Sequence, residues 1–318
     1  MKQEVLVTGA FYAPSMEWLD REFTTHRLFE AKDRATMLAE VGPRVRAIAG
    51  SGRSDATLIQ SLPKLEIVAN FGVGYDNVDA VAARARNVMV TNTPGVLNEA
   101  VADTTLSLIL AIERRVVAAD RYLRAGKWVA NGNYPLTRHL GDLKVGILGL
   151  GRIGKAIAKR VLAFGMQVQY HSRTRQTDVA FPYFPSVLEL AKASNVLVCI
   201  LPGGAGTRHI INEDVMKALG PTGTLVNVAR GSVVDTEALI RCLQNGSLGA
   251  AAIDVYDKEP ETPKALWPLE NVVLTPHLGS ATHTTRKQMG DLVVKNLIEH
   301  FAGRPVLSAV PECADLKR

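Results

Sequence analysis

Arg230, Glu259 and His277 each stand just beyond a short apolar run, at residues 224–228, 251–255 and 272–275. Their side chains form a coherent chemical set. An arginine can grip a carboxylate through two parallel hydrogen bonds and polarise a neighbouring carbonyl. A histidine can give or take the proton at a carbonyl or alcohol oxygen. A glutamate bonded to that histidine fixes which ring nitrogen carries the proton.

For the three to meet, the runs before them must be strands of one parallel sheet. The C-terminal ends of such strands share an edge, and open α/β sheets bind their ligands there. The same edge would carry a nucleotide motif. Residues 144–148 read as a buried strand, and Gly149, Leu150, Gly151, Arg152, Ile153 and Gly154 follow it at the G-x-G-x-x-G spacing. The first glycine permits a tight turn, the second lets the backbone approach a pyrophosphate, and the third lets the next helix pack close to the strand. That helix aims its first N–H groups at the phosphates. Ile153, Ile157, Val161 and Phe164 give it an apolar stripe, and Gly165 is placed to stop it.

Cofactor choice is legible after the next strand, residues 166–170. Sites for NAD put an acid there to hold the ribose hydroxyls. Here the chain reads Ser172, Arg173, Thr174, Arg175, with no acid before Asp178. The two arginines can pair a 2′-phosphate, and the two hydroxyls can donate to it. NADP(H) is therefore the preferred cofactor, with NAD(H) possible.

Along the chain, apolar runs at 5–8, 47–49, 67–70 and 88–91 alternate with helical stretches at 56–61 and 78–84. The second half repeats the pattern, with strands at 196–201, 224–228, 251–255 and 272–275 and helices at 185–193, 212–219 and 236–245. Such alternation predicts βαβ units and parallel sheets. The fold class is α/β, with two Rossmann-like or flavodoxin-like parallel-sheet domains and a cleft between them. Residues 1–98, completed by 286–318, form one domain, and 99–285 form the dinucleotide-binding domain. A helix from 99 to 115, preceded by Asn98 as a cap, links the two, and one from 282 to 301 carries the chain back. Gly72-Val73-Gly74 follows a strand and is either a plain turn or a ligand-facing backbone. Residues 121–141 read as an exposed arm. Its Trp128 and Tyr134 pack either on another subunit or on their own domain.

Composition narrows the function classes. The formal charge of +6 comes from 37 basic and 31 acidic residues, without charged blocks. No nucleic-acid partner is expected from that distribution. Cys199, Cys242 and Cys313 are scattered and form no C-x-x-C pair, so neither a metal site nor a disulfide framework is indicated. With no signal peptide and no apolar stretch of membrane-spanning length, a cytoplasmic protein is expected.

Four motifs in order give the chain a family resemblance. They are Gly149-Leu150-Gly151-Arg152-Ile153-Gly154, Asn227-Val228-Ala229-Arg230-Gly231, Asp254-Val255-Tyr256 with Glu259-Pro260, and Thr275-Pro276-His277-Leu278-Gly279. The chain resembles the D-isomer-specific 2-hydroxyacid dehydrogenases over nearly its whole length. Within them it is most similar to NADPH-dependent glyoxylate/hydroxypyruvate reductases and hydroxyphenylpyruvate reductases. The resemblance implies His277 as acid/base, Glu259 as its partner and Arg230 as the substrate clamp. It implies that the backbone of Val73 and Gly74 holds the carboxylate of a small 2-ketoacid. It implies that Thr104, Pro202, Thr207, Val228, Ala229, Asp254 and Gly279 line the cofactor along with Arg230 and His277. A homodimer joined by the 121–141 arm and a hinge closure of the two domains are also implied. Arg53, Phe71 and Trp267 are candidate walls of the substrate pocket. A dinucleotide-sensing interaction protein is the reading from another class.

Overall fold

The computed structural model describes residues 2–316. The chain divides into two units, Met1–Leu97 with Ala281–Arg318, and Asn98–Ser280. Each is built on one fully parallel sheet.

The first unit begins with β1 (Glu4–Val7), α1 (Ala13–Glu22), β2 (Thr24–Arg27), α2 (Arg34–Val41), β3 (Val45–Gly50), α3 (Ala56–Ser61), β4 (Ile67–Asn70), α4 (Ala80–Ala85) and β5 (Met89–Thr91). The strand order is β2-β1-β3-β4-β5. β4 and β5 are buried at every position and β3 at all but one, as strands covered on both faces must be. β2, an edge strand of sequence Thr-Thr-His-Arg, has no buried residue and no apolar signal. Asp33, Asp55 and Asp79 accept the orphan N–H groups at the starts of α2, α3 and α4. Each such cap stabilises its helix by about 1 kcal/mol.

The second unit holds α5 (Asn98–Glu113), α6 (Val116–Arg124), α7 (Lys127–Asn131), β6 (Lys144–Leu148), α8 (Arg152–Ala163), β7 (Gln167–His171), α9 (Val187–Ala193), β8 (Val196–Cys199), α10 (Glu213–Leu219), β9 (Thr224–Asn227), α11 (Thr236–Asn245), β10 (Ala250–Ile253) and β11 (Val272–Leu274). The order is β11-β10-β9-β8-β6-β7. The two-residue period of a strand divides the core. Val196 and Val198 face one layer, with Ile109 of α5 and Ile157 of α8. Leu197 and Cys199 face the other, with α9, α10 and α11. Cys199, Cys242 and Cys313 are buried free thiols.

The chain then returns to the first unit through α12 (His283–Phe301), capped by Thr282. Gly290 of α12 sits so close to α1 that an added Cβ would fall 2.6 Å from the Ser15 side chain.

Two readings of the sequence change in detail. Phe164 is not a core residue of α8. The helix ends at Ala163, and Phe164 is its C-cap and 46% exposed. Gly165 follows in the left-handed region at φ +77°, as a helix stop requires. The arm is helical over α6 and α7, and neither helix has a buried residue. Tyr122 donates to the Gly132 carbonyl at 2.9 Å and meets Tyr134 edge-on, so the arm closes partly on itself. Trp128, Val129 and Leu136 stay exposed.

Candidate active site

The three glycines after β6 respond differently to an imagined side chain. Gly149 lies at φ +104°, and a Cβ there would fall 2.3 Å from the Ile200 carbonyl oxygen. A Cβ on Gly154 would meet the Gly149 carbonyl oxygen at 2.3 Å. Gly151 has open space within 4 Å. Gly149 and Gly154 thus shape the turn, while Gly151 leaves room for something to approach the backbone. Gly151 is also the N-cap of α8 and offers no side-chain acceptor to its first N–H groups. Those donors and that clearance fit a pyrophosphate. Beyond β7, Ser172 donates to the Thr174 carbonyl at 2.7 Å, and Arg173 and Arg175 are exposed. The first acid, Asp178, pairs with Lys155 of α8 at 2.6 Å. That bond to Lys155, opposed by partial burial, holds the Asp178 carboxyl below its ordinary pKa.

At the far end of the same sheet edge, β9, β10 and β11 deliver the polar trio. Asn227, 1% exposed at the end of β9, shapes the first loop. Its amide donates to the Arg230 carbonyl at 2.9 Å, and its oxygen accepts from the Ala229 N–H at 3.1 Å. Arg230 donates through Nη1 to the Ala229 carbonyl at 2.7 Å. Gly231 then packs so tightly that a Cβ would fall 2.0 Å from the Tyr256 carbonyl carbon. This contact locks the Arg230 loop against the loop that carries Glu259.

Glu259 accepts from the Tyr256 N–H through Oε1 at 2.9 Å, and its Oε2 lies 2.7 Å from Nδ1 of His277. Burial raises the Glu259 pKa. The hydrogen bonds from His277 and Tyr256, with the positive charges of His277 and Arg230, outweigh it and leave the carboxyl below its ordinary value. The Tyr256 hydroxyl donates to the carbonyls of Ile253 and Thr275. Burial first, then the charges of Asp254 and Glu259, push its pKa up to about 12.

His277 occupies the left-handed region at φ +54°, a conformation that a non-glycine residue adopts only when its surroundings hold it there. Asp254, 1% exposed, is what holds it. Its Oδ1 accepts from the Thr275 hydroxyl at 2.6 Å and the Leu278 N–H at 2.7 Å, and its Oδ2 accepts from the Gly279 N–H at 2.9 Å. The His277 N–H donates to the Asp254 carbonyl at 2.9 Å. Asp254 is thus bonded to the histidine loop on both sides of His277.

The structure therefore brings Glu259 to His277 and places the Arg230 charge near Glu259. Thr104 reaches the Gly279 carbonyl at 3.5 Å, and Thr207 donates to the Pro202 carbonyl at 2.8 Å, closing the turn after β8. Val228 and Ala229 are buried at the end of β9. Val73 and Gly74 lie in the first unit, after β4. There Asn70 donates to the carbonyls of Gly72 and Gly74, and Asn92 to that of Val73. Among the described residues no acceptor takes the N–H groups of Val73 and Gly74. Of the three candidate pocket walls, only Phe71 is buried. Arg53 is exposed and pairs with Asp55, and Trp267 is exposed and donates to Thr262. Asn227 stands in a motif of the family resemblance, but the loop-shaping role of Asn227 and Asn70 is visible only in the structure. Their signal is an Asn at the last position of a strand, as at Asn70 and Asn227.

Residues 106–279 match the NAD binding domain of the D-isomer specific 2-hydroxyacid dehydrogenases. The chain is 47% identical to glyoxylate/hydroxypyruvate reductase A of Arabidopsis thaliana, over 92% of this chain and 94% of that protein. It is 46% identical, over the same shares, to hydroxyphenylpyruvate reductase of Plectranthus scutellarioides. A crystal structure of the NADPH-dependent glyoxylate/hydroxypyruvate reductase of Sinorhizobium meliloti, in complex with NADP and malonate, superposes with a TM-score of 0.93 at 45% identity, covering 98% of each chain. No helix among the described residues is long and apolar enough to cross a membrane. With its glycine turn, its paired histidine and glutamate and these relatives, the chain belongs to the D-isomer specific 2-hydroxyacid dehydrogenase family of oxidoreductases.

Proposed function

We propose that this protein reduces small 2-ketoacids, glyoxylate and hydroxypyruvate, to glycolate and D-glycerate with NADPH. The observation that carries the reading is the 2.7 Å pair of His277 and Glu259 on the sheet edge that also bears the Gly149–Gly154 turn and Arg230. The Gly149–Gly154 turn and the start of α8 would hold NADPH, which when bound would supply a hydride for the keto carbon. His277 supplies the proton to the keto oxygen from Nε2, because Nδ1 is committed to Glu259. Glu259 fixes the ring and balances its charge. In the second unit Arg230 can clamp a carboxylate and polarise a carbonyl, and in the first unit the N–H groups of Val73 and Gly74 can take a carboxylate. The preference for NADPH rests on Ser172, Arg173, Thr174 and Arg175, and on the engagement of Asp178 with Lys155. A second copy of the chain is the proposed partner, and the exposed Trp128, Val129 and Leu136 of the arm support it.

The relative from Plectranthus scutellarioides favours a second reading, the reduction of hydroxyphenylpyruvate. Initial rates on glyoxylate, hydroxypyruvate, pyruvate and hydroxyphenylpyruvate, each with NADPH and NADH, separate the two. Fast NADPH oxidation with the small acids supports the first. Rates highest with the aromatic acid support the second. Tight NADPH binding without turnover of any acid moves the assignment to a dinucleotide-sensing protein.

A further inference from the structure

The first unit holds a charged group that the reaction above does not use. Arg286, in the first turn of α12, is half-buried, and its guanidinium lies 5.6 Å from the ring centroid of Phe71. Phe71 in turn stacks on Phe11 with centroids 5.4 Å apart. Phe11 passes one helical turn further along α12, where a Cβ on Gly290 would fall 3.3 Å from its ring. One aromatic ring thus lies beneath the arginine, and a second ring backs the first.

The arginine has no anionic partner among the described residues. Other arginines of the same unit do: Arg44 pairs with Glu4, Arg46 with Glu66, Arg84 with Asp315 and Arg304 with Glu299. Those ion pairs are ordinary surface features. A half-buried guanidinium that meets an aromatic face and, among the described residues, no carboxylate gives up hydration without an ion pair in return. Burial accordingly lowers the Arg286 pKa. Phe71 is also the residue directly before Gly72, Val73 and Gly74. Arg286 therefore stands over the side chain that leads into the turn assigned to the substrate carboxylate.

We infer that Arg286 is a specificity residue, recognising an oxygen substituent on the carbon next to the keto group, as in hydroxypyruvate. The inference rests on the 2-ketoacid reading and deepens it. With the carboxylate on the Val73 and Gly74 amides, a hydroxymethyl oxygen is the group left for a planar donor fork. Glyoxylate has no such carbon, and pyruvate has only a methyl group there.

The test compares wild type, Arg286→Met and Arg286→Lys on glyoxylate, pyruvate and hydroxypyruvate at saturating NADPH, with circular dichroism melts of each protein. The expected result is a rise of about tenfold or more in the hydroxypyruvate KM of R286M, with the glyoxylate KM within about twofold of wild type. The wild-type preference for hydroxypyruvate over pyruvate disappears in R286M and is partly kept in R286K. A parallel loss on all three acids overturns the inference, since Arg286 then serves the carboxylate or the fold. Unchanged kinetics overturn it as well. If R286M does not fold, R286K decides: its discrimination for hydroxypyruvate must fall below that of wild type while the glyoxylate KM stays within about twofold, and an unchanged discrimination overturns the inference. Wild type that turns over glyoxylate but shows no Arg286-dependent discrimination defeats this inference alone. Wild type inert toward every 2-ketoacid defeats the parent reading with it.

Discussion

Glu259 reaches His277 from a different loop of the same sheet edge, its Oε2 lying 2.7 Å from Nδ1 of the ring. The contact leaves Nε2 as the nitrogen that can serve a substrate. His277→Ala should lower kcat by about 10²–10⁴-fold, the usual worth of a general acid. The KM for NADPH should change little. Steady-state rates on glyoxylate check this, and near-wild-type turnover would remove His277 from the role.

The same pair has a pH signature. The Glu259 pKa in the folded protein lies below its ordinary value, because bonds from His277 and Tyr256 and nearby positive charge outweigh burial. A depressed folded pKa contributes stability that is fully present above the unfolded value and is lost as pH falls through the folded one. Glu259→Gln abolishes that contribution. Thermal melts of wild type and E259Q should therefore differ most at neutral pH and converge in strong acid. A gap that stays constant down the acid series would deny the linkage.

Asp254→Asn tests the support of the histidine loop. Asp254 accepts the N–H groups of Leu278 and Gly279 on different oxygens. An asparagine must point its own NH₂ at one of them, whichever way it flips, and so sets donor against donor. The expected cost is about 1–3 kcal/mol of stability and a fall of about 10²-fold in kcat, as His277 shifts from its place. Urea unfolding and single-turnover rates measure the two effects. Loss of stability with kcat intact would show that Asp254 serves the fold alone.

The sequence made the strands with continuous apolar runs plain, and with them the edge on which Arg230, Glu259 and His277 stand. Fully buried parallel strands such as Val196–Cys199 are apolar throughout, so their pattern survives without tertiary information. β2 escaped because it lies at the edge with polar side chains. Phe164 falls on the apolar stripe of α8, yet it is the C-cap, one residue beyond the last helical position, because Gly165 turns the chain away. At the site, residue types and strand ends suggested the trio, but Asn227 and Asp254 act through backbone groups. Which carbonyl or N–H they meet is set by loop geometry, which residue spacing does not encode. Arg286 was silent for a similar reason: its meaning comes from Phe71, far away in the chain.

Cofactor choice can be read by subtraction. Arg173 and Arg175 are exposed after β7. Replacing both with Ala should raise the KM for NADPH about tenfold or more, because charge-assisted bonds to a phosphate are lost. The KM for NADH, which lacks that phosphate, should stay within about twofold. Parallel initial-rate series with the two cofactors decide the matter, and equal effects would sink the assignment of these arginines to the 2′-phosphate.

A buried acid far from the site offers a last prediction. Glu113 of α5 is 5% exposed and accepts from the Thr224 hydroxyl at 2.5 Å. Its other oxygen lies 3.2 Å from Nη1 of Arg138, at the end of the arm. Burial raises the Glu113 pKa, opposed by the Thr224 bond and the Arg138 charge. A folded pKa above the unfolded one penalises the native state at high pH, and the penalty fades as pH falls through the folded value. Arg138→Met removes the compensating charge and raises that pKa further. It should cost about 1–2 kcal/mol at about pH 8, below the usual loss for a broken buried pair because Arg138 is partly exposed. At about pH 5 the cost should shrink, since the stranded carboxyl can take a proton. Urea unfolding of both proteins at the two pH values measures this, and an equal difference at both would show that the ion pair to Arg138 does not carry the buried charge.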